Sequence, residues 1–304
     1  MATSTSVAKL NVQRKQGEVG NSLTRVALRR LRRDKLTLFA IGIVALITIL
    51  SILAPVISNA LNVSYQDTNA SITFLPLFSP GHILGTDDLG RDHLSRLLYA
   101  GQVSLSVGFI AALLSMSIGV TLGIITGFYG GIVDDIVIWV ISTLNSIPSL
   151  FLLLIVAAVF KPSPTTLILV LGFLGWTSFT RLVRGETFSI REREYILSAR
   201  ASGASPLRIM FVHILPNLFS IIVISLAIDI GGLILLEAAL SFLGLGIKAP
   251  FPSWGNMLTN AQSFFTKGVH LVLAPGLLIF VTVLCLYVIG DGIRDAFDPT
   301  SKDK

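Results

Sequence analysis

Cysteine is almost missing from this chain of 304 residues, which holds only Cys285. One cysteine excludes a disulfide framework and a cysteine metal cluster. Charge is scarce too: Asp, Glu, Lys and Arg make up 13% of the residues against 53% hydrophobic ones, and the mean hydropathy is +0.80. That balance excludes an ordinary soluble globule. Catalytic groups are few. The four histidines, His82, His93, His213 and His270, lie outside the long apolar runs. They show no His-Glu-x-x-His spacing, no nucleophile stands beside an evident base, and no Gly-x-x-x-x-Gly-Lys-Ser/Thr phosphate loop occurs. The chain is expected to carry no catalytic residue, no metal site and no nucleotide of its own.

What the chain has in quantity is apolar sequence. A bilayer core of about 30 Å needs about 20 apolar residues per helix, and six runs qualify: roughly 37–58, 103–129, 132–160, 165–183, 217–243 and 271–290. Backbone groups in lipid must be satisfied within the segment, so the prediction is an all-α polytopic membrane protein with six transmembrane helices. The first run is too long for a signal-peptide core and is read as a retained helix. Nine of the 23 basic residues precede it, and an even number of crossings puts 18 on the side of both termini against five on the other. The positive-inside rule then makes both termini cytoplasmic. The net charge of +6 is explained by topology and anionic lipid, so nucleic acid is not an expected partner.

Local chemistry divides the chain further. Residues 1–20 read as a disordered tail. Residues 21–75 hold a basic interfacial helix, with Leu23, Val26, Leu28 and Leu31 among five arginines, and the first span. Residues 76–102 read as an outer interfacial segment in which Thr86 or Asp87 caps a short helix bearing Asp87–Arg91 and Asp92–Arg96 pairs, with Leu89, Leu94, Leu97 and Leu98 resting on the membrane. Residues 103–295 form the main transmembrane domain, and 296–304 the C-terminal tail. Gly119, Gly123 and Gly127 recur every four residues, a helix-packing face. Asn145 precedes Pro148, which is expected to kink the third span. Trp254 in the last outer loop reads as an interfacial anchor.

Asp229 and Glu237 lie in the fifth run, where each costs about 2.5–3.5 kcal/mol near a bilayer centre and must face protein or water. At about 100° per residue they stand about 80° apart around the helix. With Asn145 they are candidates to line a translocation pathway; internal hydrogen bonding is the other reading.

Between the fourth and fifth runs lies an amphipathic island. Glu192 and Glu194 favour the start of a helix on which Tyr195, Ala199 and Ser202 share a face. Gly203 can supply a turn that other residues make only with strain. Ser205 followed by Pro206 is an N-cap with proline at the first helical position. The second short helix is expected to run through Arg208 to about His213, with Pro216 at the entry to the next span. Two short helices meeting at a glycine make a rigid protrusion that a soluble partner can push or pull.

The spacing Ala199, Gly203, then His213-Ile-Leu-Pro216 resembles the EAA loop of binding-protein-dependent ABC import permeases. Further motifs extend the likeness: Leu-Arg-Arg-Asp-Lys-Leu from 31, Leu-Gly-Thr-Asp-Asp-Leu-Gly-Arg-Asp from 84, Ile-Pro-Ser-Leu from 147, Arg-Glu-Arg-Glu-Tyr from 191, Leu-Ser-Phe-Leu-Gly-Leu-Gly from 240, Pro-Ser-Trp-Gly from 252 and Gly-Asp-Gly-Ile-Arg-Asp from 290. As a set they resemble the C-type permease of dipeptide, oligopeptide and nickel importers over nearly all of the chain after residue 20. The resemblance implies a type I importer permease (MetI-like) fold in the plasma membrane of a prokaryote. It also implies a homologous B-type permease as partner, an extracytoplasmic solute-binding protein, and two ABC ATPase subunits that use ATP and Mg.

The loop 184–216 would then be the coupling loop, with contacts from Glu194, Tyr195, Ala199, Gly203, Arg208, His213, Leu215 and Pro216. The Glu-Ala-Ala positions here read Leu197-Ser198-Ala199, so the usual acid is missing, and Glu194, three residues earlier on nearly the same face, can substitute. Peptides are the leading cargo, with nickel, glutathione and oligosaccharides as alternatives. An ion-coupled secondary transporter or channel is the rival class; it favours discontinuous helices in two repeats, whereas both acids here share one span.

Overall fold

The computed structural model describes residues 23–160 and 163–297. The tail at 1–20 and residues 298–304 lie outside the described residues. In chain order the helices are α1 (Leu23–Leu31), α2 (Lys35–Ile52), α3 (Ala54–Ala60), α4 (His93–Tyr129), α5 (Gly131–Asn145), α6 (Ser149–Val159), α7 (Pro164–Arg191), α8 (Glu194–Ala201), α9 (Pro206–Arg208), α10 (Leu215–Phe242), α11 (Ala261–Lys267) and α12 (His270–Phe297). A π-helical turn, Ile209–Ile214, joins α9 to α10. No strand occurs among the described residues.

Helices α2, α4, α7 and α12, together with the continuous rod Pro206–Phe242, are long and apolar enough to cross a membrane. The run predicted at 132–160 is broken rather than kinked. Pro148 takes an extended ψ of 128° between α5 and α6, because proline has no N–H to continue a helix and disfavours helical backbone in the residue before it. The run at 37–58 also divides, into α2 and α3 at Leu53, so four of the six apolar runs fold as single continuous helices and two as broken pairs.

Close backbone approach sets the bundle. α4 lies along α7 with Gly119, Gly123 and Gly127 at the seam: a Cβ on these would stand 2.4 Å from Phe179 Cβ, 2.7 Å from Val183 Cβ and 2.5 Å from Thr187 Cβ. Their spacing keeps them on one helical face, and the missing side chains bring the two backbones together. α10 packs on α12 and α4, and α2 packs on α12. One end of the bundle, the loop end, is the buried cluster of Ile124, Phe128, Val183, Ile190, Ile196, Ile209, Ile214 and Leu218, on which the 192–214 loop sits. Thr37 meets Gly292 on α12 toward the same end, so the start of α2 and the close of α12 share that end.

The far end corrects four expectations. Trp254 is fully buried rather than interfacial; it packs with Leu97, Ala100, Ala238 and Met257, and its Nε1–H donates to the Leu97 carbonyl at 3.1 Å. Leu97 therefore faces the core and not lipid. No helix begins at Thr86 or Asp87: α4 starts at His93, and its N-cap is Asp92, whose Oδ1 accepts Ser95 N–H at 2.7 Å. The expected Asp92–Arg96 pair is replaced, since Asp92 bonds His82 Nδ1 at 2.8 Å and Arg96 turns to Asp87 at 3.2 Å. The Asp87–Arg91 pair forms, at 2.8 Å. Gly90, at φ +72°, makes this knot possible, because a Cβ there would fall 2.0 Å from the Asn69 carbonyl oxygen.

Candidate functional site

The loop-end segment is built by two caps. α8 closes in a Schellman motif, with Ala204 N–H on the Ala199 carbonyl at 3.1 Å and Gly203 N–H on the Arg200 carbonyl at 3.0 Å. The motif needs a left-handed residue at its turn, and Gly203 supplies it at φ +81°. Ser205 then caps α9 through Arg208 N–H at 3.4 Å, with Pro206 at the first helical turn. The second helix does not stop near His213. It runs on through the π turn into α10, with Pro216 in the first turn of α10 and Asn217 Nδ2 donating to the His213 carbonyl at 2.6 Å.

This segment has a buried underside and an exposed top. Ile196, Ile209, Met210 and Ile214 are buried against α4 and α7. Glu194, Tyr195, Gly203, Arg208 and Pro216 face outward, while Ala199, His213 and Leu215 are half-buried. Leu197, Leu207 and Phe211 are exposed too, at 45%, 63% and 62%. These apolar side chains were not among the sequence candidates. Leu207 and Phe211 are four residues apart on one face, and that spacing was the available signal. Glu194 and Leu197 are both solvent-facing, so an acid is present next to the position where the pattern lacks one.

Arginines lock the segment to the bundle. Arg191 Nη1 donates to the Gly127 and Phe128 carbonyls at the C-terminus of α4, at 2.9 and 3.4 Å. It satisfies helix-end acceptors that have no partner within the helix. Arg200 lies 5.5 Å over the Phe128 ring, and Arg184 forms a two-pronged pair with Asp134 at the start of α5. Of these three arginines Arg200 is the one on α8, and it ties α8 to the end of α4, while Arg184 and Arg191 tie the end of α7 to α5 and α4.

The acids in the spans separate. Glu237 is fully buried; it accepts from Ser104 of α4 at 2.9 Å and from Ser241 at 2.7 Å. Asp229, near the middle of α10, lines a cavity of about 310 Å³ with Ser178, Ser225 and Tyr287, and its Oδ2 has no hydrogen-bond partner among the described residues. Asn145 ends α5 and is exposed. The three residues thus occupy separate places.

Residues 119–303 match the family of binding-protein-dependent transport system inner membrane components. The chain belongs to this family. Residues 22–81 of the permease also match the N-terminal transmembrane domain of oligopeptide transport permease C. The permease is 38% identical to the dipeptide transport system permease protein DppC of Alkalihalophilus pseudofirmus, over 91% of its own length and 90% of the relative's. It is 41% identical to the glutathione transport system permease protein GsiD of Pectobacterium atrosepticum, over 74% of each. Among solved structures, a chain of the inward-facing MetNI methionine ABC transporter superposes with a TM-score of 0.54 at 19% identity, covering 66% of the permease and 96% of that chain. That likeness shows the MetI-like fold. Family and apolar helices together make the permease a multi-pass inner-membrane protein.

Proposed function

We propose that this permease forms one half of the translocation pathway of an ATP-driven importer of peptides and couples to separate ATPase subunits through residues 194–216. The observation that carries the reading is the two-sided segment: an underside of Ile196, Ile209 and Ile214 seated on the bundle, and an exposed top of Tyr195, Leu197, Leu207 and Phe211. Exposed apolar side chains on a rigid, capped protrusion fit a groove on a soluble partner. A homologous B-type permease would complete the pathway, and a solute-binding protein would deliver cargo from outside. The two ATPases would bind ATP and Mg, leaving this chain non-catalytic. Its role is then to pass between two states of access whose populations the ATPases shift.

The orientation follows from the basic residues, with the loop end and both termini in the cytoplasm. Peptide cargo is supported by the dipeptide and glutathione transport named for its relatives. Replacing Gly203 by Trp tests the coupling. A side chain there meets no atom within 4 Å, but it is strained by the left-handed backbone at Gly203, which favours glycine. In proteoliposomes the variant should insert and assemble with the B-type permease while ATP-driven uptake is lost and the ATPases dissociate. Wild-type uptake by the variant would refute the docking role, and uptake abolished by ionophores but indifferent to ATP depletion would favour an ion-coupled transporter.

A further inference from the structure

The cavity at Asp229 continues along the same face of the bundle. On α10, Asp229, Gly232, Leu235, Ala239 and Phe242 recur at steps of three or four and so share one helical face. On α12, Gly276, Phe280, Leu284 and Tyr287 do the same. Between the two faces runs an apolar groove of about 500 Å³, and Tyr287 lines both groove and cavity. Gly232 and Gly276 widen them, since a Cβ at either would meet nothing within 4 Å.

The polar end is one-signed. No Lys, Arg or His lines the Asp229 cavity among the described residues. An acid in a membrane helix faces protein or water and takes a charge or hydrogen-bond partner there; Glu237 has its two serines, whereas the described residues offer Asp229 Oδ2 neither a hydrogen bond nor a cation. The other polar groups, the Ser178 and Ser225 hydroxyls and the Tyr287 phenol, can all accept hydrogen bonds. A group that only donates, with a positive charge, satisfies them together, and an ammonium has three such donors. The adjoining groove is far larger than a bare ion requires, and both volumes fall in the range of about 300–1,000 Å³ typical of organic ligand sites.

We propose that Asp229 receives the α-ammonium of a peptide in transit, with the peptide's apolar side chains lying along the groove between α10 and α12. The proposal rests on the peptide-import reading and adds to it a recognition point inside the membrane. It places the free amino terminus at Asp229 and the rest of the cargo toward Phe242 and Gly276.

The test uses the complete importer in proteoliposomes, with ATP inside and radiolabelled Ala-Phe presented outside by the same wild-type binding protein throughout. Asp229→Asn should lower uptake about tenfold or more, the loss of one charge-assisted hydrogen bond, and Asp229→Glu should recover most of it. Gly232→Leu, whose side chain enters the cavity, should block uptake in a complex that still assembles. In a Cys285→Ser background, Ala-Phe should slow maleimide labelling of the Ser225→Cys variant during turnover, and N-acetyl-Ala-Phe should not. Unchanged uptake in Asp229→Asn, or equal protection by the blocked peptide, overturns the ammonium subsite and leaves peptide import standing. A carbodiimide cross-link from Asp229 to a lysine of the B-type permease also overturns it, by assigning the carboxylate to the subunit interface. If the wild-type complex hydrolyses ATP yet imports no peptide, the import reading fails and the subsite with it.

Discussion

Ser104 donates its hydroxyl hydrogen to Glu237 at 2.9 Å and accepts the Trp254 backbone N–H at 3.2 Å. One hydroxyl thus joins α4, the buried acid of α10 and the far-end loop. This explains how a carboxyl group is accommodated at a site with no solvent exposure: it is hydrogen-bonded to Ser104 and Ser241, and a buried polar group so partnered avoids most of its desolvation cost.

Glu237→Gln should therefore be mild, because an amide of the same shape can engage both serines. Glu237→Leu leaves the Ser104 and Ser241 donors without their acceptor and should destabilise by about 1–3 kcal/mol. Thermal unfolding of the purified proteins in detergent measures both. Equal losses for Gln and Leu would show that the hydrogen bonds contribute nothing.

The α4–α7 seam makes a steric prediction. Gly123→Ala puts a Cβ 2.7 Å from Val183 Cβ and 2.9 Å from the Thr180 carbonyl oxygen, and such overpacking costs about 1–3 kcal/mol. Gly42→Ala, where a Cβ meets nothing within 4 Å, is the control and should be neutral or slightly stabilising. Melting temperatures of the two variants decide; a Gly123→Ala protein as stable as wild type would mean that the helices can separate freely.

At the membrane entrance, Asp34 caps α2 through the Leu36 and Thr37 N–H groups. The Thr37 hydroxyl bond is the main cause that holds its carboxyl below the ordinary value of 3.8. Because the folded value lies below the unfolded one, the stabilisation is complete above that ordinary value and fades as pH falls through the folded one. Asp34→Ala should cost about 1 kcal/mol at pH 7, and the gap in melting temperature from wild type should close on acidification below the ordinary value. A gap that widens in acid would contradict this.

Topology is open to labelling. With Cys285 replaced, Thr165→Cys and Gln262→Cys, both at exposed positions, should react with an impermeant maleimide from outside intact cells. Ser198→Cys, exposed on α8, should react only after the inner face is opened. The reverse pattern would place the loop end outside and overturn the proposed docking of ATPases there.

Much of the 194–216 segment was legible because its chemistry is local. Gly203, Ser205 and Pro206 act on backbone groups within a few residues, so caps and turn follow from the order of side chains. The glycine seam was legible for a related reason: three gaps at helical spacing announce a close approach even when the approaching helix is unknown. Pro148 was legible as an interruption, but its severity was not. A proline can bend a helix or end it according to whether the freed groups find support within the bundle.

The residues that misled the reading have distant partners. Trp254, in the loop after the fifth apolar run, had the look of an interfacial anchor; what buries it is the cluster with Leu97, Ala100 and Ala238, and its hydrogen bond to Leu97 spans 157 positions of sequence. Glu237 and Asp229 were equivalent on paper, two acids in one apolar run. Glu237 meets a serine 133 positions away, while Asp229 opens on a cavity between three helices. By itself the sequence determined the apolar helices, the capped protrusion and the side on which basic charge collects, since these depend on hydropathy, backbone chemistry and charge along the chain. Only the tertiary structure decided which acid is satisfied and which stands open, because that depends on which helix faces each oxygen.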